Sequence, residues 1–285
     1  MPCNGGPKSI FPSKMRASIL VALLPILFMM CAQYGQLTPI ADLPKKLNEN
    51  SGMVAVDDGT VWIIEDSGNP DKIFKVDMQG KLLRELKVKN AKNEDWESLA
   101  QDSLGNLYIA DIGNNSNERK DLVIYKLPNP DREKGDKIEA ERIAFHYPEQ
   151  KKFPPKRKDF RYNAEALFYQ NGFLYIVNKD MTRPFVGEAR IYRVPDKPGK
   201  YKAELIAVIP TCDDSRRCTI TGADLSPDGK TLVLLSYGQI WVFRNFKGND
   251  FTSGTTELID LGASTQLEAV TFLDNKTLIL SDEWS

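Results

Sequence analysis

Glu97, Glu165, Asp224 and Glu268 are the residues of this 285-residue chain whose type and spacing best suit chemistry. Each sits at the start of a similar stretch: "ESLAQDSLGNLYIAD" from Glu97, "EALFYQNGFLYIVNK" from Glu165, "ADLSPDGKTLVLLSY" from Ala223 and "EAVTFLDNKTLILSD" from Glu268. A fifth copy, "SGMVAVDDGTVWIIED", carries Ser51 at that phase. If the repeats are arranged about an axis, the acids converge. Two carboxylates about 7 Å apart at an effective dielectric of 20 repel by ~2 kcal/mol. Relief comes from a cation, bound water, basic side chains or raised pKa values. A hard divalent ion with several oxygen ligands is the simplest relief, and Ca²⁺ tolerates irregular geometry. Glu97, Glu165, Asp224 and Glu268 are therefore the candidate metal ligands, with Ca²⁺ as the candidate cofactor. Glu165 and Glu268 are also the candidate catalytic groups. The plainer alternative is that these acids bond backbone amides where adjacent repeats meet.

A second set lies at the end of the following strand in each copy: Asp66, Asp111, Asn178, Ser236 and Asp282. Together with Asn114 and Asn163, the positions Asp66, Asp111, Asn178 and Asp282 form the candidate ligand-binding group. The pairs Gly68–Asn69 and Gly113–Asn114 read first as turns that tolerate positive φ. The alternative is that Asn114 or Asn115 holds an oxygen-rich ligand. Other constellations are poor. His146 is the only histidine and falls in an outer strand, which argues against a Ser-His-Asp triad. There is no Walker loop and no HExxH. Cys212 and Cys218 are close enough to close a small disulfide loop in an oxidising compartment, or else are two thiols near a turn.

The elements that must position these residues are strands. Each copy is a short apolar strand, an Asp/Asn/Gly turn such as "DDG", "QNG" or "PDG", and a strongly apolar strand. Two more alternating strands follow in each full copy, as in "DLVIYKL" and "ERIAFHY". Four antiparallel strands recurring at ~45 residues mark a β-propeller blade. The expected fold is an all-β propeller of five blades, or six if an insertion hides one. Insertions fall at roughly 129–137, 147–162, 180–188 and 211–220. The last copy holds only two strands, so either "QLTPIADL" adds a closing outer strand or the last blade is incomplete.

Residues 1–32 are expected to lie outside the fold, leaving 33–285 as one propeller domain. Lys8, Lys14 and Arg16 precede the apolar run Ile19 to Cys31, the pattern of a secretory signal, with a retained anchor helix as the alternative. Cys31 occupies the place of a lipoprotein cysteine, or is one more apolar residue of a cleaved peptide. The expected location is therefore the periplasm, the outer membrane or the cell surface. Membrane contact would come only through the N-terminal lipid. A net charge of −1 lacks the basic footprint of a nucleic-acid binder. The expected partner is a small molecule or protein at the channel mouth of a monomer.

The segments "DWESLAQDSLGNLYIADIGNN", "YNAEALFY", "ITGADLSPDG" and "QLEAVTFLDNKTLILSDE" resemble bacterial propellers of the SdiA-regulated and phytase-like esterase groups. The resemblance implies propeller architecture over nearly everything after residue 40. Its phytase-like side implies calcium and phosphate-ester hydrolysis, with Lys156, Arg157, Lys158 and Arg161 as a phosphate grip. Gluconolactonase-like propellers would imply one axial divalent metal held by Glu, Asn and Asp, for which Glu97, Asn163 and Asp224 are the counterparts. Two functions follow as expectations: an exported propeller that binds a ligand or partner at the channel mouth, or a Ca²⁺-dependent lactonase or phosphoesterase.

Overall fold

The structure is a computed structural model that describes residues 37–56, 58–262 and 265–283. The expected secretory signal, with Cys31, lies outside the described residues.

Strands of the first repeat are β1 (Asn50–Val56), β2 (Thr60–Glu65), β3 (Lys72–Asp77) and β4 (Leu82–Lys89). The second contributes β5 (Trp96–Gln101), β6 (Leu107–Asp111), β7 (Val123–Leu127), β8 (Lys137–Glu139) and β9 (Glu141–His146). From the third come β10 (Asn163–Gln170), β11 (Phe173–Lys179), β12 (Glu188–Pro195), β13 (Gly199–Lys202) and β14 (Glu204–Pro210). The fourth holds β15 (Ile220–Leu225), β16 (Thr231–Ser236), β17 (Gln239–Arg244) and β18 (Thr255–Asp260). The last has β19 (Leu267–Phe272) and β20 (Leu278–Asp282). Helices among the described residues are single turns of three or four residues, as the absence of a helical period implies.

These strands form a β-propeller arrangement with four sheets of full blade size and one of two strands. Within each repeat the strands pair antiparallel through tight turns. Two short strands cross over. β8 pairs in parallel with β4 of the first sheet, and β13 pairs in parallel with β9 of the second. Each covers an outer edge that would otherwise present unpaired amides and carbonyls. The insertion near 129–137 thus leads into a clasp between neighbouring blades.

The inner strands β1, β5, β10, β15 and β19 are successive neighbours, and β19 packs back against β1. "QLTPIADL" does not close the ring: residues 37–44 form no strand. Two prolines and few alternating apolar residues give that stretch little strand character. Closure uses side chains instead. Asn50 donates to the Asp282 carbonyl at 3.0 Å, and the Ala55 amide donates to Thr271 Oγ1 at 3.2 Å.

The core is a set of apolar layers between sheets. One layer packs Trp62 and Ile64 against Trp96 and Ile109. The next packs Tyr108 and Ile124 against Leu167 and Ile176. β2 and β6 are buried along their whole lengths because sheets cover both faces. This packing fixes the second strands, and with them the residues that leave their ends.

Candidate functional site

All five inner strands break register once against their partners. The breaks fall at Ser51, Glu97, Glu165, Thr221 and Glu268. A β-bulge leaves one residue unpaired, bends the strand and re-aims that side chain. These five residues are therefore the equivalent positions of the repeat. The residue after each bulge is small: Gly52, Ser98, Ala166, Gly222 and Ala269. The close approach of inner strands explains this. A Cβ at Gly52 would lie 2.6 Å from the Leu99 amide nitrogen, and one at Gly222 would lie 3.2 Å from the Glu268 carbonyl oxygen.

Asp224 is not at that phase; Thr221 is. Asp224 accepts from the Leu225 amide at 2.7 Å, the Phe272 amide at 2.7 Å and Thr271 Oγ1 at 3.1 Å. It ties β15 to β19, which is the backbone-bonding role. Burial pushes its pKa up to about 6 against the pull of those bonds. Expected as a fourth metal ligand, Asp224 does not line the site.

The hydroxyl members of the bulge column close the inner ring. Ser51 Oγ donates to the Trp96 carbonyl and Thr221 Oγ1 to the Leu267 carbonyl, both at 2.6 Å. Glu97, Glu165 and Glu268 line a cavity of ≈ 100 Å³ at the axis, with Glu49, Asn50, Ser51, Asp66, Asn115, Lys179 and Glu283 also on its wall. That volume holds a few waters or a partly hydrated ion, since a water's share of liquid volume is about 30 Å³. In the second column Asp111, Asn178, Ser236 and Asp282 stand as expected, and only the first member shifts, from Asp66 to Glu65. Glu65, Asp111, Asn178, Ser236 and Asp282 are the register equivalents, and the residue after each supplies Asp66, Lys179 and Glu283 to the cavity.

Asp66, Asp95 and Glu97 form the tightest oxygen cluster, one oxygen of each lying within 4.8 Å of the others. Gly113 makes this possible. A Cβ there would collide with carboxylate atoms of both Asp95 and Glu97. Its glycine serves close approach and not a positive φ; Gly68, at φ 84°, is the turn glycine. Asp95 is placed from below: its amide donates to Asp111 Oδ1 at 3.1 Å, and Asp111 lies 2.9 Å from Arg119 Nη2. Arg119 Nη1 also donates to the Gly113 carbonyl at 2.9 Å.

The electrostatics follow from crowding. Glu97 is 7 % exposed and has no hydrogen-bond or ion-pair partner among the described residues. Burial, then Glu165, Asp66 and Asp95, push its pKa well above the carboxylate range. Burial and Asp66 raise Asp95 to about 6, with Arg119 opposing. Glu268 is pushed up to about 8 by burial, against Lys179 and helped by Glu165. Among the described residues, Lys179 is the one cation on the cavity wall. Its Nζ lies 3.3 Å from Glu165 Oε1 and donates to Tyr237 Oη at 3.2 Å. Burial works against its charge, yet Glu165, Tyr237 and Glu268 hold it protonated far above the usual lysine range.

Of the expected ligand group, Asp66 reaches the cavity. Asn163 stands directly behind it: Nδ2 donates to Glu165 Oε1 at 2.6 Å and to Asn115 Oδ1 at 3.2 Å. Asp111, Asn114 and Asn178 are scaffold. Asn114 donates to the Tyr162 carbonyl and accepts the Arg119 amide, and Asn178 donates to the Arg161 carbonyl at 2.6 Å. Asp282 is exposed at the end of β20. Lys156, Arg157, Lys158 and Arg161 do not line the cavity. Arg157 stacks on Phe160 instead, and Arg161 lies 3.8 Å from Glu188. Glu49, Lys179 and Glu283 escaped sequence reasoning. The column of small residues, had it set the alignment, would have placed Thr221 correctly and exposed the column that holds Asp66, Lys179 and Glu283. Elsewhere, Cys212 and Cys218 are joined in a disulfide with Cα atoms 5.6 Å apart.

Searches against protein-family models and against curated proteins give no match. Among solved structures, the chain is similar to the PQQ-bound aldose sugar dehydrogenase of Streptomyces coelicolor, at 11% identity and a TM-score of 0.51 over 87% of this chain and 91% of that one. It is also similar to a gluconolactonase of Xanthomonas campestris, at 14% identity and a TM-score of 0.46 over 82% of this chain and 69% of that one. At 11% identity the likeness to the dehydrogenase speaks to the propeller fold and not to what the fold does.

Proposed function

We propose that this chain is an exported propeller that holds one divalent cation at the channel mouth and uses it to bind an oxygen-bearing ligand. Asp66, Asp95 and Glu97 would be the protein ligands and Ca²⁺ the preferred ion, since the donors are all hard carboxylate oxygens. The observation that carries the reading is Glu97, buried in the cavity wall without a partner and within 4.8 Å of two further carboxylates. Ionising a buried carboxyl of that kind costs several kcal/mol unless a cation pairs with it. Under this reading the two-stranded sheet counts as a fifth blade, because β19 carries the same bulge and small residue as the other inner strands. The basic and apolar leader and the disulfide favour export, and Cys31 is the proposed lipid anchor. We further propose that the ligand, a small molecule or a protein segment, meets a monomer.

A second reading, a cation-dependent hydrolase of lactones or phosphate esters, is favoured by Glu268. It lines the same cavity, and at about 8 its basicity suits proton transfer near neutral pH. A divalent ion bound there would supply carbonyl or phosphoryl polarisation.

Thermal melts of EDTA-treated protein with added Ca²⁺, Mg²⁺ or Mn²⁺ test the first reading. At a hundredfold excess over Kd, a bound ion stabilises the fold by about 2.7 kcal/mol. Glu97→Gln should abolish that gain. A melting temperature indifferent to all three ions sinks the reading. A lactone and phosphoester screen with and without the ion then separates binder from enzyme.

A further inference from the structure

We propose that Lys179 is a tethered cation that occupies a second ion site in the channel mouth, so that the mouth takes one divalent ion and not two. The proposal rests on the reading that Asp66, Asp95 and Glu97 bind a divalent ion.

The argument starts from how charge is shared on the cavity wall. Six carboxylates line it: Glu49, Asp66, Glu97, Glu165, Glu268 and Glu283. They divide around one ammonium. Lys179 Nζ sits 3.3 Å from Glu165 Oε1 and 3.2 Å from Tyr237 Oη, and lies over the Tyr237 ring at 5.5 Å. It ends β11, opposite Asn163, and Asn163 holds the same Glu165 oxygen from the other side at 2.6 Å. Glu165 Oε1 is thus held between an amide and an ammonium of the protein itself. Asp66, Asp95 and Glu97 form a separate cluster in which Glu97 has no partner among the described residues. One half of the mouth carries its own cation. The other half lacks one.

The repeat shows why this is a substitution of one cation for another. Lys179 occupies the column that supplies Asp66 in the first repeat and Glu283 in the last. The second and fourth repeats place the neutral Ile112 and Tyr237 there, so Lys179 adds a positive charge where the first and last repeats add a negative one. Its Nζ offers donors where a metal ion would need oxygen ligands, so an ion beside Glu165 would have to displace it. A divalent ion beside Glu165 would also be repelled by that ammonium. Without that ammonium, Glu165, Glu268 and Glu283 would stand on the cavity wall with no cation beside them among the described residues.

Isothermal titration of the EDTA-treated full chain with Ca²⁺, repeated with Mn²⁺, reads the stoichiometry directly. The wild type should bind one ion and Lys179→Met two. Because Lys179→Met leaves Glu165 unpaired and the fold at risk, the neutral pair Lys179→Met/Glu165→Gln is measured beside it. Replacing both partners of a buried ion pair is far milder than removing one. The double variant should bind one ion with an affinity within about tenfold of wild type, since Glu165 is not a ligand of the first ion. If the wild type binds no ion, the underlying cation reading fails. A wild type that binds two, a folded single variant that still binds one, or a double variant that loses its ion would overturn the role of Lys179 alone.

Discussion

Replacing Asp95 by Asn should make the cation-free protein more stable and the cation-loaded protein less so. In the unfolded chain this carboxyl titrates near 3.8; in the folded chain burial and Asp66 move it to about 6. A raised pKa means that the folded state resists ionisation. The stability present below pH 3.8 is therefore lost as pH rises through 6. Between those values the loss reaches about 3 kcal/mol, and about 1 kcal/mol of it has been incurred by pH 4.5. Asn is nearly isosteric and never ionises, so the variant escapes the whole cost. For a chain of this size each kcal/mol moves the midpoint by about 2–4 °C. The cation-free variant should thus melt about 6–12 °C above wild type at pH 7.5 and only about 2–4 °C above it at pH 4.5. Adding Ca²⁺ reverses the order at pH 7.5, because the variant lacks one of the three clustered negative charges. Differential scanning calorimetry in EDTA and in Ca²⁺, at both pH values, reads all four midpoints. A cation-free variant that melts at or below wild type at pH 7.5 would refute the claim that crowded carboxylates strain the empty mouth.

Three more outcomes follow from the same geometry. Gly113→Ala should fold yet lose most of its Ca²⁺-induced rise in melting temperature, because the new methyl displaces both Asp95 and Glu97. Asp224→Ala should keep that rise but lower stability by about 2–4 kcal/mol in urea melts, since the Leu225 and Phe272 amides lose their acceptor. Ca²⁺ affinity should increase from pH 6 to pH 8 with release of protons, as Asp95 and Glu268 give up theirs at about 6 and about 8. Titration calorimetry in two buffers of different ionisation enthalpy measures those protons, and a pH-independent affinity contradicts the assignment.

The repeat was legible because propeller blades impose a period on the chain. Turn residues and apolar second strands recur in order, with an acid near the start of three of the five inner strands. That was enough to bring Glu97, Glu165 and Glu268 to one axis, along with Asp66. It was not enough to align the fourth repeat. Asp224 is an acid three residues past the true position, and Thr221 carries no charge to mark its place. The bulge that makes them inequivalent is a feature of strand pairing, which a linear pattern of residue types does not encode.

What the sequence determined by itself is the all-β repeat, and hence that a few carboxylates crowd together: the periodicity of apolar strands and turns is local and survives any ambiguity of register. What only the tertiary structure decided is how the crowded charges are balanced. Lys179 meets Glu165 and Tyr237 across two repeats, and Gly113 yields space to Asp95 and Glu97. Such contacts depend on distances of an ångström or two between residues far apart in the chain. Electrostatic and steric energies vary steeply over that range, and the spacing of letters along a sequence does not fix it.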